Sequence, residues 1–174
     1  MKEWKRPQLP VPYPLVVVVS GGDKPNPSPY IFYGQFNEHP VVIGIGIKEK
    51  RFTYKLIKET GDFTVNFVSR EMLKMVDRAG FVSGWRQEKS GLFSWRRSSV
   101  IKSHFIDGAP LAMEVKFLRE IPFTDHILLL GEVVKIWVRE EVDGRAFVLS
   151  SYSEAGYYRV GDLLERWGFS RREP

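Results

Sequence analysis

Runs of β-branched and aromatic residues dominate the first third of the chain and predict strands. Residues 14–20, PLVVVVS, form an almost continuous apolar run that ends at the turn-forming Gly21-Gly22-Asp23. Further strands are predicted at residues 28–36, which are rich in aromatic side chains, and at residues 41–47, VVIGIGI. The two glycines of the latter leave room for another backbone or a flat ligand to approach closely. Three strands are therefore expected before the first helix.

Helical spacing of apolar residues is confined to three short segments. Thr53 is predicted to cap a helix that runs to Glu59 and stops at Gly61. A second helix is predicted from the cap Ser69 to the terminator Gly80. A third, C-terminal helix before Gly168 is indicated by the i, i+3, i+4, i+7 spacing of Val160, Leu163, Leu164 and Trp167.

The rest of the chain again predicts strands. Residues 62–68 alternate, with Phe63, Val65 and Phe67 on one face, and further strands are expected at residues 112–121, 127–138 and 145–150, the last two joined by a turn at residues 142–145. Residues 81–110 lack periodicity, as in long segments that carry functional sites. About seven mostly consecutive strands with few helices predict a mainly β fold, an antiparallel barrel with peripheral helices rather than a doubly wound sheet. No repeat or linker is visible, so residues 1–174 are expected to form a single domain.

Composition narrows the chemistry. The chain has no cysteine, which excludes disulfides, iron–sulfur clusters and a thiol nucleophile, so any redox chemistry requires a bound cofactor. The three histidines, His39, His104 and His126, are widely spaced, and no metal site is expected. No apolar run approaches the length needed to cross a bilayer, so we expect no membrane association and a cytoplasmic location.

The formal charge of +5 favours an anionic ligand, a nucleic acid or simply a solvated basic surface. Because the basic residues are dispersed, nucleic-acid binding is the weaker hypothesis. A small basic β-barrel with exposed aromatic residues that binds single-stranded nucleic acid remains an alternative.

A few side chains suggest a binding site, although each also has an ordinary structural explanation. Arg51, Thr53 and Lys89 would suit a phosphate, but Thr53 could be only a helix cap and the cations only solvated. Aromatic residues such as Tyr30 and Phe32 could stack on a flat heterocycle or belong to the core. His126, next to Asp125 at the start of a strand, could be functional or a surface histidine.

The order of several short motifs is more specific than any one of them. They are NPSPYIFY at residues 26–33, RFTYKLIKETGDFTVNF at residues 51–67, AGFVSG at residues 79–84 followed by Lys89, DHILLLGEVV at residues 125–134 and GYYRVG at residues 156–161. In this order they resemble the flavin reductase-like, FMN-binding family, whose fold is a split antiparallel β-barrel.

The resemblance implies non-covalent FMN, a homodimer with the flavin at its interface, and hydride transfer from NADH or NADPH to the flavin. It implies that Tyr30, Ile31 and Phe32 line the flavin, that Lys48, Arg51 and Thr53 hold its phosphate, that Ser83, Gly84 and Lys89 complete the pocket, and that His126 lies near the ring. No catalytic residue is then required, because the cofactor carries the chemistry.

Two further possibilities follow from the same resemblance. The chain could be an FMN-binding electron-transfer protein without nicotinamide activity, and an electron-accepting protein or a monooxygenase is a possible partner. The family often has Ser at the position of Ile31, Asp at the position of Glu88 and Ser at the position of Asn37. The missing hydroxyl at Ile31 leaves open a structural dimer that has lost its cofactor, although the backbone amide there could still serve the flavin.

Overall fold

Antiparallel strands form most of the molecule. A computed structural model of the chain describes residues 11–140, 146–151 and 156–161, together with residues 3, 5 and 9. The helices are α1 (Phe52–Thr60) and α2 (Leu73–Phe81), and the segments Arg70–Met72 and Ser90–Leu92 are 3-10 turns. The strands are β1 (Tyr13–Pro14), β2 (Val16–Ser20), β3 (Asn26–Tyr30), β4 (Tyr33–Glu38), β5 (Val41–Ile47), β6 (Asp62–Phe67), β7 (Trp95–Arg96), β8 (Phe105–Ile106), β9 (Leu111–Pro122), β10 (Ile127–Val138), β11 (Val148–Ser151) and β12 (Gly156–Arg159).

Seven of these strands form one sheet in the order β3-β2-β6-β9-β10-β5-β4, with every neighbouring pair antiparallel. The two edge strands, β3 and β4, are consecutive in the chain, and Ile31 and Phe32 connect them. At this connection the amide of Gly46 on β5 donates to the carbonyl of Phe32 at 2.8 Å. Because only two residues connect the edge strands β3 and β4, these strands lie close together and the sheet curls into a barrel. The predicted mainly β, antiparallel fold with helices at the periphery is confirmed.

Strand β2 is buried on both faces and joins two hydrophobic clusters. Val16 and Val18 point into the barrel, where they pack with Ile45, Phe63 and Leu129. The alternate residues, Val17 and Val19, pack in a second cluster outside the barrel with Leu15, Ile31, Val68, Val76, Ile106 and Val148. The unbroken valine run thus reflects burial on both sides, as continuous apolar runs usually do.

Strand β6 alternates between the barrel core and a polar outer face. Its outward residues bind the irregular segment between α2 and β9: the Asp62 carboxylate accepts from the amides of Lys102 at 3.1 Å and Ser103 at 3.0 Å. Asn66 Oδ1 accepts from the amide of Ile106 at 2.8 Å. The predicted lack of regular structure over residues 81–110 is largely confirmed, since the described strands there, β7 and β8, are two residues each.

A small sheet, in the order β1-β11-β12, lies beside this barrel. The amide of Val148 donates to the carbonyl of Val68 at 3.1 Å, and the amide of Leu15 donates to the carbonyl of Val148 at 3.0 Å. The Tyr157 hydroxyl on β12 donates to the Asp77 carboxylate on α2. These bonds fix the small sheet against the second hydrophobic cluster and α2.

Several predicted boundaries are wrong. Residues 28–36 form two strands instead of one, because the chain turns at Ile31, whose carbonyl accepts from the amide of Tyr33 at 3.0 Å. Strand β12 was not predicted, and β11 begins at Val148. The C-terminal helix predicted around residues 163–167 and the turn at residues 142–145 lie outside the described residues.

Three predicted helix ends also differ from the structure. Ser69 is not the cap of α2, whose N-cap residue is Met72; it caps the preceding 3-10 turn, Arg70–Met72. Thr53 is not the cap of α1: Arg51 is, and buried Thr53 instead accepts a hydrogen bond from Asn26 Nδ2 at 3.1 Å. Gly61 does end α1, as predicted. Gly80 does not end α2, which continues to Phe81. The glycine at this position lets the helix pack closely on β3. A Cβ at Gly80 would lie 3.1 Å from Cγ of Pro29.

Candidate functional site

A cleft of about 430 Å³ opens where the β3–β4 connection, the end of β5 and the small sheet meet. Six residues predicted from the sequence line this cleft: Tyr30, Ile31, Phe32, Lys48, Arg51 and His126. They come from segments nearly 100 residues apart in the chain, which antiparallel pairing of β5 with β10 brings together. The cleft is apolar at the β3–β4 connection and cationic beyond β5.

The cationic end is built from the segment that leads from β5 into α1. Lys48 follows the last residue of β5, and Arg51 is the N-cap residue of α1. The amide of Arg51 donates to the carbonyl of Lys48 at 3.0 Å, which fixes the turn between them. In the described residues neither side chain forms an ion pair. Two cations beside the N-terminus of a helix provide a favourable environment for an anion.

His126 lies at the other end of the cleft, at the entrance to β10. Its Nδ1 lies 3.0 Å from Oδ1 of Asp125, and its ring packs edge-on against Phe32, with the centroids 5.3 Å apart. The hydrogen bond from His126 lowers the pKa of the Asp125 carboxyl below its ordinary value, and the charges of His126 and Lys48 lower it further. Asp125 thus fixes the orientation of the imidazole and leaves Nε2 as the ring nitrogen that does not face it.

Hydroxyl groups from other strands complete the lining. Ser28 comes from β3, Ser150 and Ser151 come from β11, and Tyr157 comes from β12. Sequence reasoning did not select these side chains. Single serines in strands carry no local signal, whereas Tyr157 belongs to the GYYRVG motif that contributes to the family resemblance.

Ile31, the main departure from the family pattern, has a structural role. Its side chain is 9% exposed and packs in the second hydrophobic cluster while it borders the cleft. Ser28, Ser150 and Ser151 also line the cleft and carry hydroxyl groups, whereas Ile31 offers none.

The structure does not bring Thr53, Ser83, Gly84 and Lys89 to the walls of this cleft. Thr53 is buried, and its hydroxyl accepts a hydrogen bond from Asn26. The carbonyl of Ser83 accepts from the amides of Arg86 and Gln87. Gly84 and Lys89 border a separate cavity of about 570 Å³. The flavin contacts predicted for these four residues stay predictions.

Lys89 is an unusual cation because its side chain is buried. Its Nζ donates to the carbonyl of Ala79, in the last turn of α2, at 3.1 Å. Burial, with a smaller contribution from the positive charge of Arg51, lowers the pKa of Lys89 to about 8. The ammonium therefore satisfies a helix C-terminus, and it lies within electrostatic reach of the cleft's arginine.

The described part of the chain contains neither a candidate metal site nor a membrane-spanning helix. The residues in it include no group of three His, Cys, Asp or Glu side chains that could hold a metal ion. None of its helices has the length and apolar character required to span a bilayer.

The chain is similar to several known proteins in sequence and in fold. The chain is 32% identical over 128 residues to an uncharacterized protein of Archaeoglobus fulgidus, which covers 71% of this chain and 72% of the relative. Its fold matches that of the flavoredoxin of Desulfovibrio vulgaris (Miyazaki F) with a TM-score of 0.87 at 25% identity, over 99% of this chain and 100% of the other. It also matches an FMN-binding protein from Thermus thermophilus with a TM-score of 0.83 at 24% identity, over 95% and 99% of the two chains.

The family model for the flavin reductase like domain matches residues 8–160. This span includes the barrel, both described helices and every residue of the cleft. The split-barrel fold and the family resemblance inferred from the motifs are therefore confirmed, and the chain belongs to the flavin reductase-like domain family.

Proposed function

We propose that this protein binds FMN non-covalently in the cleft and acts as an NAD(P)H-dependent flavin oxidoreductase. The observation that carries the proposal is the polarity of the cleft, which joins an aromatic and apolar wall at Tyr30, Ile31 and Phe32 to the cations Lys48 and Arg51. FMN has the same asymmetry, with a flat ring at one end and a phosphate at the other.

The donor set of the cleft fits this cofactor. Its volume of about 430 Å³ lies in the range of small-molecule sites, and its lining combines apolar side chains with hydroxyl, imidazole and cationic groups. Lys48 and Arg51 would hold the phosphate through charge-assisted hydrogen bonds. Tyr30 and Phe32 would contact the ring, and the hydroxyls of Ser28 and Ser150 would bond to its polar edge or to the ribityl chain.

When bound, FMN supplies the redox chemistry by accepting a hydride equivalent from NADH or NADPH. The protein then needs to bind and orient the two partners and to keep water from the reacting groups, and such positioning lowers a barrier by roughly 7–11 kcal/mol in well-oriented cases. The contact with Asp125 would hold the imidazole of His126 beside the flavin ring. Phe32, which packs against this imidazole, would shield the ring from water.

A homodimer is part of the proposal. A groove of about 470 Å³ adjoins the cleft and shares Phe32 and His126 with it. Exposed Phe36 and Phe123 line this groove, and they are 60% and 64% exposed. A second copy covering this surface would bury both rings and close one side of the cleft.

A second candidate function shares the same cleft. The fold matches a flavoredoxin as well as an FMN-binding protein, so an FMN-dependent electron carrier that does not react with nicotinamide is the alternative. An electron-accepting protein or monooxygenase partner and a cytoplasmic location stay predictions. We do not propose nucleic-acid binding, because membership of the flavin reductase-like family favours a flavin as ligand.

The visible absorption spectrum of the purified protein tests the proposal. We expect an oxidised flavin spectrum, as isolated or after incubation with FMN and removal of the excess, that bleaches anaerobically when NADH or NADPH is added. A flavin spectrum that neither nucleotide bleaches would favour the electron carrier. A protein that takes up no FMN would refute both.

A further inference from the structure

A second cavity lies next to the flavin cleft and is strongly basic. It measures about 500 Å³ and is lined by three arginines, Arg70, Arg139 and Arg159, and by the aromatic rings of Phe147 and Tyr158. Tyr157 lines both this arginine cavity and the cleft. A molecule with one end in the cleft could therefore extend past Tyr157 to the arginines.

Strand pairing places the three arginines around one opening. Arg159 is opposite Val148 in the β11–β12 pair, and the amide of Val148 donates to the carbonyl of Val68, two residues before Arg70. Arg139 follows the end of β10, and its amide donates to the carbonyl of Pro110 at 3.0 Å. These backbone hydrogen bonds fix the main chain around the cavity, and the exposed arginine side chains extend from it.

The positive charge of the arginine cavity is only partly balanced. Glu71 is the single acidic residue among the described residues that line it. A hydrogen bond with Ser69 lowers the pKa of Glu71 below its ordinary value, and the charges of Arg139 and Arg70 lower it further. Within the described residues none of the three arginines forms an ion pair. Three clustered guanidinium groups with one carboxylate among the described lining residues repel one another and favour an anionic ligand.

We propose that the arginine cavity binds the phosphorylated adenosine of NADPH and thereby makes NADPH the preferred hydride donor over NADH. This inference rests on the proposed reductase function and names its donor. Guanidinium groups bind phosphate in bidentate fashion, and an arginine is the usual partner of the 2′-phosphate that distinguishes NADPH from NADH. The rings of Phe147 and Tyr158 offer faces on which an adenine can stack.

The test is calorimetric titration of the full-length protein with adenosine 2′,5′-bisphosphate and, separately, with adenosine 5′-monophosphate. We expect the bisphosphate to bind about tenfold to a hundredfold more tightly, the range expected for hydrogen bonds to a charged group. Each of Arg70→Ala, Arg139→Ala and Arg159→Ala should weaken bisphosphate binding. Arg119→Ala, which removes an exposed arginine on β9 away from the cavity, is the matched control and should bind it as the parent does.

Three results would overturn the inference: no binding of the bisphosphate, equal affinity for the two nucleotides, or unchanged affinity in all three cavity variants. Binding of inorganic phosphate as tight as that of the bisphosphate would exclude a nucleotide site as well. Failure of the proposed function would look different. If the protein binds the bisphosphate through these arginines but does not oxidise NADPH in the presence of FMN, the arginine cavity is a nucleotide site and the proposed reductase function is refuted.

Discussion

Arg51 and Lys48 provide the most direct test of the cofactor site at the scale of single residues. If they hold the phosphate, Arg51→Ala and Lys48→Ala should each lower the affinity for FMN about tenfold to a hundredfold, because each removes a charge-assisted hydrogen bond. Fluorescence titration with FMN measures this change. Titration with riboflavin, which lacks the phosphate, should give the same affinity for both variants as for the parent protein.

The control for charge alone is Lys74→Ala, since Lys74 is an exposed lysine on α2 that does not line the cleft. It should leave both affinities unchanged. If Arg51→Ala weakened riboflavin as much as FMN, the arginine would act on the ring or on the shape of the cleft instead of on the phosphate.

The buried ammonium of Lys89 predicts a distinctive pH dependence of stability. Because its pKa falls to about 8 in the folded protein from 10.5, the unfolded chain binds more protons between these values. The free energy of unfolding contributed by this residue should therefore rise as the pH increases from about 8 to 10.5, and should be constant below about 8.

Comparison with Lys89→Met isolates this effect. The difference in unfolding free energy between the parent protein and the variant, measured in urea at several pH values, should increase across that window in favour of the parent. Lys74→Met should show no such trend. A flat difference for Lys89→Met would mean that the ammonium is solvated in the folded state.

The sequence predicted six residues that line the candidate site, five from one part of the chain and His126 from a distant motif. Tyr30, Ile31, Phe32, Lys48 and Arg51 lie close together in the chain, and all five line the cleft. Ser150 and Tyr157 were missed because strand pairing alone brings them to the cleft, and no local pattern encodes that pairing. Thr53 was misassigned because a threonine before a helical run has the same local sequence whether it caps the helix or, as here, lies inside it.

At the scale of secondary-structure elements, Glu114 links β9 to the irregular segment that follows α2. Its buried carboxylate accepts from the amides of Ser99 at 3.0 Å and Val100 at 2.9 Å and from the Trp137 indole at 2.8 Å. Burial by itself would raise the pKa of Glu114, but these hydrogen bonds outweigh it and lower the pKa below its ordinary value.

Glu114→Gln should cost about 1–3 kcal/mol of unfolding free energy at neutral pH, because a glutamine amide leaves at least one buried donor unsatisfied. The stabilisation from the ionised carboxylate is complete above its ordinary pKa and disappears as the pH falls through the lowered value, so the difference should vanish in acid. Urea unfolding measures both effects. Glu49→Gln, at an exposed site, should remain within about 0.5 kcal/mol of the parent; equal stability of the two variants would contradict a role for Glu114 in fixing the segment.

Strands with a continuous apolar run were predicted well and connections were not. The bounds of β5 and β10 agree with the predicted ones because their apolar runs begin and end abruptly. The break between β3 and β4 was missed because Tyr30 to Tyr33 are all apolar or aromatic, whereas the turn depends on a backbone hydrogen bond between Tyr33 and Ile31. Helix α2 passes through Gly80, where it packs closely on Pro29, and a local rule for helix termination does not include such tertiary packing.

At the scale of the whole molecule, closure of the barrel creates the site. The closure places β3 and β4 at opposite edges of one sheet, so their connection must cross the end of the barrel, where it meets the start of α1 and the small sheet. Consecutive strands in the sequence were sufficient to predict an antiparallel barrel. The sheet order, with β6 between β2 and β9, was not predictable, because β6 is separated from β9 in sequence by α2 and the irregular segment.

The proposed homodimer makes the last prediction at this scale. Phe36 lies over Gly34 and Gly44, and with Phe123 it forms an exposed apolar surface beside the cleft. Burying such side chains stabilises an interface by roughly 1.5–3 kcal/mol each. The double variant Phe36→Ser, Phe123→Ser should therefore be monomeric at micromolar concentration, where light scattering after size-exclusion chromatography should find the parent protein dimeric. Phe81→Ser, which removes a ring that is 91% exposed at the end of α2, should remain a dimer. Because the groove shares Phe32 and His126 with the cleft, loss of the dimer should also weaken FMN binding. A monomeric parent protein, or a double variant that still dimerises, would show that this surface is not the interface.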